Sequence, residues 1–349
     1  MIDGPGLFNR LTWRTVMLRT VAVFDAPMLL ILMALAGIGL MSMYSAGGGF
    51  DGRFADQLRN YGIALLAMWL LAQLSPQTLM RLAVPVYLVG LVLLFGVEFA
   101  GETSKGATRW LNLGFTRIQP SEVMKIAVPM MLAWYFHKHQ GTLRIRDFIV
   151  AAVLMLAPFS LIVLQPDLGT ALLVFGAGFF VLFFAGLSFR LLVPITLVSV
   201  IALGTLVSLE DTLCADGLDW VVLHDYQKHR VCTLLNPASD PLGKGFHTIQ
   251  SAIAVGSGGM LGKGYMQGTQ THLDFIPERT TDFIFAVFAE EFGFVGNLLL
   301  LFLYLLLLAR GLTIAANAPS VFSRLLSGAL TMVFFVYAFV NMGMVSGIL

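Results

Sequence analysis

About nine runs of mostly apolar residues, many near the length that crosses a bilayer, constrain this chain more than any other feature. They fall at 27–44, 61–74, 82–100, 121–136, 148–164, 169–187, 191–207, 283–308 and 325–348. A helix needs roughly 20 such residues to cross about 30 Å of hydrocarbon, and it satisfies its own backbone polar groups on the way. The sequence therefore predicts an all-α, polytopic membrane bundle forming one domain over 1–349. The second, fourth and fifth runs look short for a span. Composition agrees, with 58% hydrophobic and 12% charged residues, where a soluble domain carries about a quarter charged. Lys and Arg total 21 against 20 Asp and Glu, a net charge of +1. No bulk positive field gathers nucleic acid. An ordinary soluble enzyme, a disordered chain and a nucleic-acid binder are all excluded.

Positive charge orients the spans. Arg10, Arg14 and Arg19 precede the first run, which is too long for the apolar core of a signal peptide and is followed by further spans. An uncleaved first helix with a cytoplasmic N-terminus follows. Arg81, Lys138, Arg144, Arg146, Arg190, Arg310 and Arg324 then also lie inside. The outer side receives the turn at 47–49, the loop at 105–117 and one long segment at 208–282. Lys105, Arg109 and Arg117 break the charge rule there, and an anionic substrate would give them a reason.

The long outer segment carries both cysteines, Cys214 and Cys232, in a compartment where disulfides persist. They are either bonded or two unrelated reduced thiols. The segment is also rich in glycine, from Gly243 to Gly268, which suggests a folded loop lying against the bundle rather than a second domain. Nucleotide motifs fail in it. Gly262-Lys263 is followed by Gly264, not Ser or Thr, and Gly256-Ser257-Gly258 is followed at the third position by Leu261, not Gly. The six histidines show no metal spacing; His137 and His139 suit a helix C-terminus.

Ionisable residues at the ends of apolar spans are expensive and imply a function. Glu122 and Lys125 are three apart and face one another on one helix. Asp167 follows Gln165-Pro166, and Asp282 precedes the run that starts at Phe283. Topology puts Arg109, Glu122, Lys125, Asp167 and Asp282 on the outer face. Structural ion pairs would account for Glu122 with Lys125, but no basic residue lies one turn along the helix from Asp282. Asp282 is expected to be partly desolvated, a setting that strengthens a carboxylate as a base. Arg109 and Lys125 could offset the charge of a phosphate. Glu290 and Glu291 lie about two turns deeper, roughly 12 Å along the axis, and read as structural groups in polar gaps between helices. A base and cations at the outer leaflet suit attack of a sugar hydroxyl on a lipid-pyrophosphate-linked sugar, whose leaving group needs no general acid.

At these residues the chain resembles the SEDS (shape, elongation, division and sporulation) family of bacterial cell-wall proteins, over nearly its whole length. The resemblance rests on Asn236-Pro237, Asp240-Pro241-Leu242-Gly243-Lys244-Gly245-Phe246-His247-Thr248-Ile249-Gln250-Ser251 and Gly256-Ser257-Gly258-Gly259. It continues through Gly262-Lys263-Gly264, Gly268-Thr269-Gln270, Pro277-Glu278-Arg279 and Thr281-Asp282-Phe283-Ile284-Phe285-Ala286. Earlier stretches are Gly106-Ala107-Thr108-Arg109-Trp110, Gln119-Pro120-Ser121-Glu122 and Gln165-Pro166-Asp167-Leu168-Gly169-Thr170. The Gly268-Thr269-Gln270 and Pro277-Glu278-Arg279 forms look like the elongation branch of the family rather than the division branch.

The resemblance implies a peptidoglycan glycosyltransferase that polymerises lipid II, the undecaprenyl-pyrophosphate-linked disaccharide peptide, on the outer face of the bacterial cytoplasmic (inner) membrane. It implies Asp282 as catalytic base, with Arg109, Lys125, Glu122, Asp167 and Lys263 as the substrate-binding set. It also implies partnership with a class B penicillin-binding protein transpeptidase and other elongation-complex membrane proteins. A divalent cation, Mg or Mn, is implied without a visible site. The family has ten spans, so a chain stopping at Ile348-Leu349 reads as truncated before the last one. Two other classes compete: a flippase for lipid-linked oligosaccharide and a non-enzymatic scaffold. A flippase should carry charges along a path near the midplane, whereas most here cluster at the outer end. A scaffold needs no partly desolvated carboxylate.

Overall fold

Every apolar run becomes a helix, and short polar residues start most of them. The computed structural model describes residues 23–49, 52–104, 107–112, 117–141, 143–214, 228, 232, 244–273, 275–276 and 278–348. Arg10, Arg14, Arg19 and Lys105 therefore lie outside the described residues, as does most of 215–243. Helix α1 (Ala26–Ala46) is capped by Asp25, whose carboxylate accepts from the Met28 amide at 3.0 Å, with proline in the first turn. Helices α2 (Gly52–Ala72), α3 (Pro76–Ala100, capped by Ser75) and α4 (Pro120–Lys138) follow. Then come α5 (Ile145–Leu164), α6 (Leu168–Phe184, capped by Asp167) and α7 (Phe189–Ser208, capped by Ser188). The outer segment holds α8 (Glu210–Leu213), α9 (Lys244–Ser257) and α10 (Thr269–His272). Helices α11 (Ile284–Ala316) and α12 (Val321–Ser346) complete the chain. Five of the described helices, α1, α3, α5, α11 and α12, are long and apolar enough to cross a membrane.

Two features differ from the sequence reading. Helix α2 starts at Gly52 rather than 61, because Arg53, Asp56 and Arg59 form polar first turns that an apolar count passes over; Arg59 and Asp56 pair at 3.0 Å. The bundle is also not purely helical. Between α3 and α4, strands β1 (Glu102–Ser104), β2 (Ala107–Asn112) and β3 (Arg117–Ile118) form an antiparallel meander. This stretch is too short and too polar for another span, and pairing its strands satisfies its backbone. Glu102 stitches the meander, accepting from Asn112 at 3.0 Å and pairing with Arg117 at 3.2 Å.

Helix α4 sits at the centre, packed against α3, α5, α6 and α12. Met124, Val128, Leu132 and Phe136 are buried along it, against Leu94 of α3, Ile162 of α5, Val174 of α6 and Leu325 of α12. Small residues bring these helices close, the usual device where lipid removes the hydrophobic drive between them. A methyl at Gly90 would lie 2.3 Å from the Met124 sulfur. At the start of α1, the Arg310 guanidinium grips Asp25 with two bonds, at 2.5 and 2.9 Å, joining α11 to α1. That partner holds the Asp25 carboxyl down at about 2.

Helix α11 is broken. Gly293 adopts φ 62 and ψ −160, outside the helical region. A continuous helix would join the carbonyls of Glu290 and Glu291 to the amides of Phe294 and Val295. Instead, the Lys263 and Gly264 amides donate to those carbonyls, both at 3.0 Å. The Phe294 and Val295 amides donate to Gly259 and Met260, at 2.9 and 3.1 Å. The glycine-rich loop thus takes both halves of the severed ladder, which matters because an unsatisfied backbone group in lipid costs several kcal/mol. Its glycines are explained by this close approach: a methyl at Gly262 (φ +79) would lie 2.0 Å from the Glu291 carbonyl oxygen. Within the described part of the segment at 208–282, α9 packs on α11 and α12.

Candidate active site

The stretches at 107–112, 119–122 and 165–170 converge on Asp167. Its carboxylate caps α6 through the Thr170 amide at 3.4 Å and accepts from Gln119 Nε2 at 3.2 Å. Arg109, carried inward by β2, places Nε 3.6 Å from Asp167 Oδ2 and donates from Nη2 to the Pro166 carbonyl at 3.2 Å. Its Nε is buried, facing Asp167 without a hydrogen bond. Gln165 fastens the turn to α3 by donating to the Leu94 carbonyl at 3.0 Å.

One turn into α4, Lys125 Nζ meets Glu122 Oε1 at 2.7 Å, as their spacing of three suggests. The lysine is only 8% exposed, and its ammonium lies 5.0 Å from the centre of the Tyr337 ring on α12. One turn further along α12, Asn341 Nδ2 donates to the main-chain carbonyl of Asp282 at 2.9 Å. Residues spaced like Tyr337 and Asn341 are about 5–6 Å apart on a helix face. Helix α12 therefore joins the Glu122–Lys125 pair to Asp282.

Asp282 ends the turn that leads into α11. Three more contacts hold that turn. Arg279 Nε donates to the Ala46 carbonyl at 2.7 Å, Arg53 Nη1 donates to Thr280 Oγ1 at 2.8 Å, and the His247 ring of α9 stacks on Phe283 at 5.8 Å. The Asp282 side chain itself is exposed. The partial desolvation expected of it is not found: Thr281 and Asp282 face solvent, although Thr280 and Phe283 on either side are buried. An apolar slot of about 260 Å³ runs between α1, α11 and α12, lined by Ile38, Ile284, Phe288, Tyr304, Tyr337 and Asn341.

The remaining named residues are drawn together elsewhere. Lys263 meets Glu290 at 2.6 Å, so its charge is already matched. Glu291 accepts from Ser45 Oγ in the last turn of α1, which sets it at the outer end of that helix. Cys214 and Cys232 are joined in a disulfide, with Cα atoms 5.7 Å apart. Among the described residues, no group of three or more His, Cys, Asp or Glu is placed to hold a metal ion. The outer carboxylates Asp167, Glu122 and Glu290 each face a cation within the chain.

Sequence reasoning missed Arg53, Arg279, Tyr337 and Asn341. Arg53 and Arg279 were legible as further positive charges on the outer side, and Asn341 as a polar residue inside an apolar run.

Residues 18–349 match a family described as a cell cycle protein family, FtsW/RodA/SpoVE. The chain is 46% identical over 325 residues to peptidoglycan glycosyltransferase MrdB of Escherichia coli strain K12, covering 93% of this chain and 85% of that one. It is 31% identical over 396 residues to peptidoglycan glycosyltransferase RodA of Treponema pallidum, covering 95% and 92%. Among solved structures, a chain from a study of polymerization and crosslinking by a peptidoglycan synthase complex is similar, with TM-score 0.73, 35% identity, and coverage of 93% and 88%. The rod shape determining protein RodA of Thermus thermophilus is similar with TM-score 0.64, 30% identity, and coverage of 92% and 84%.

Proposed function

The chain belongs to the FtsW/RodA/SpoVE family of cell cycle proteins, and from that premise we propose that it polymerises lipid II with Asp282 as general base. It is a multi-pass membrane protein and a peptidoglycan glycosyltransferase of the MrdB/RodA type, serving rod elongation. The finer reading sets nine spans in the bacterial inner membrane with the N-terminus cytoplasmic. That orientation puts Arg109, Asp167, Glu122, Lys125 and Asp282 together on the outer face.

The observation that carries the reading is Asp282: an exposed carboxylate on a turn fastened at Arg279, Arg53 and Asn341. In the proposed step the acceptor sugar hydroxyl gives its proton to Asp282, and its oxygen attacks the anomeric carbon of the donor. The bond from that carbon to the pyrophosphate oxygen breaks, and the anomeric configuration inverts. Lipid pyrophosphate leaves with the bond pair and needs no general acid. Arg109 and Lys125 stabilise the phosphate charge; Glu122 holds Lys125 in place. Asp167 orients Arg109. The slot beside Asn341 and Ile284 suits the first part of a polyprenyl tail.

A flippase reading finds less support. The deeper carboxylates Glu290 and Glu291 are engaged by Lys263 and Ser45 rather than lining a path. The similarity of this chain to one from a peptidoglycan synthase complex supports partnership with a class B penicillin-binding protein. The test is direct: purified protein supplied with lipid II should release one undecaprenyl pyrophosphate per glycosidic bond formed. Movement of lipid II across vesicles without polymer would favour the flippase.

A further inference from the structure

We propose that Glu290, paired with Lys263, is a positioning residue that fixes where Asp282 sits, an inference that rests on Asp282 being the base. The break at Gly293 divides α11 into a half running from Ile284 to Phe292 and a membrane-length remainder. No continuous backbone ladder ties the first half to the second. Its placement is set by what grips its two ends.

The outer end is gripped at Asp282, through Asn341. The inner end is gripped at Glu290, which is fully buried. Glu290 Oε1 takes the Lys263 ammonium at 2.6 Å, the Gln270 amide at 2.9 Å and the Thr269 hydroxyl at 3.2 Å. Its Oε2 takes the Thr271 amide at 3.2 Å and the Thr271 hydroxyl at 3.1 Å. One carboxylate therefore locks two separate parts of the outer segment, the loop at 259–264 and helix α10, onto the half-helix that carries Asp282. The pairing of Lys263 and Gly264 amides with the Glu290 and Glu291 carbonyls is the backbone part of the same lock.

Sites that hold a reacting group in place act on turnover rather than on substrate capture. Glu290 and Lys263 are committed to one another and to the outer segment, so neither is offered to substrate. Glu290→Gln keeps the shape and the acceptor oxygen but removes the charge that Lys263 needs. Its kcat for lipid II polymerisation should fall about tenfold or more, with KM within about twofold of wild type. Thr271→Val removes one hydroxyl donor at constant shape and should give a smaller fall of the same kind, so the inference stays testable if the glutamine variant does not insert. Adding Lys263→Met to Glu290→Gln should cost little further, because the two groups act as a unit.

Wild-type kcat in either folded variant overturns the proposal. So does a rise in KM at unchanged kcat, which would make the pair a substrate contact. Asp282→Asn run alongside separates the two readings. Loss of turnover there with full turnover in Glu290→Gln overturns the positioning role and leaves the base standing. Full turnover in Asp282→Asn overturns both.

Discussion

The side-chain amide of Asn341 donates to the main-chain carbonyl of Asp282 at 2.9 Å, across 59 residues of sequence. One turn away on the same helix, Tyr337 lies beneath the Lys125 ammonium. A polar residue in an apolar helix thereby sets the distance between the proposed base and the proposed phosphate-binding cation. Asn341→Leu removes the donor at similar volume, and it should lower polymerisation about tenfold through loss of orientation. Initial rates on lipid II check this; an unchanged rate would mean that the Arg279 and Arg53 contacts suffice.

Lys125 is buried while half of Glu122 faces solvent. The pair should respond asymmetrically. Glu122→Gln strands a buried ammonium and should cost about 1–2 kcal/mol of stability, once the solvent at Glu122 is allowed for. Lys125→Met removes the buried charge and leaves a carboxylate that water can reach, so it should cost less stability while weakening substrate use more. Thermal unfolding and lipid II binding of both variants decide the order.

The glycine loop is held by geometry that no other residue meets. At Gly262 a side chain would need φ +79 and would strike the Glu291 carbonyl at 2.0 Å. Gly262→Ala should therefore expel the loop from the break in α11, costing at least about 2 kcal/mol and most of the activity. Protease sensitivity within 258–264 should rise in that variant. A stable, active Ala variant would contradict the lock.

The pairing of Cys214 with Cys232 predicts no alkylatable thiol in protein prepared without reductant. A bridge closing a loop of this size contributes up to about 3 kcal/mol, so the double Ser variant should unfold earlier. Intact mass before and after reduction, with and without alkylation, reads the bond directly.

Much of this was legible because membrane physics leaves few options. Apolar runs near 20 residues can only be helices in lipid. The spacing of Glu122 and Lys125 announced their pairing. What stayed hidden was contact between distant segments. Nothing local to Asn341 points to Asp282, and the break in α11 is invisible in a run as apolar as 283–308, because Gly293 looks like any other small residue in a span. The glycines at 258–264 signalled a close approach without saying to what. Burial of Asp282 was misjudged for the same reason: hydropathy reports the neighbours in sequence, whereas the turn at 278–282 is fastened by Arg279 and Arg53 with the Asp282 side chain facing solvent.

The account stands on Asp282 as the base, and one comparison tests it most directly. Asp282→Asn preserves the shape of the turn and its carbonyl bond to Asn341 but cannot accept the proton. Lipid II polymerisation by this variant should fall by about 10² or more, with lipid II affinity unchanged. A variant that polymerises at close to the wild-type rate would contradict the account.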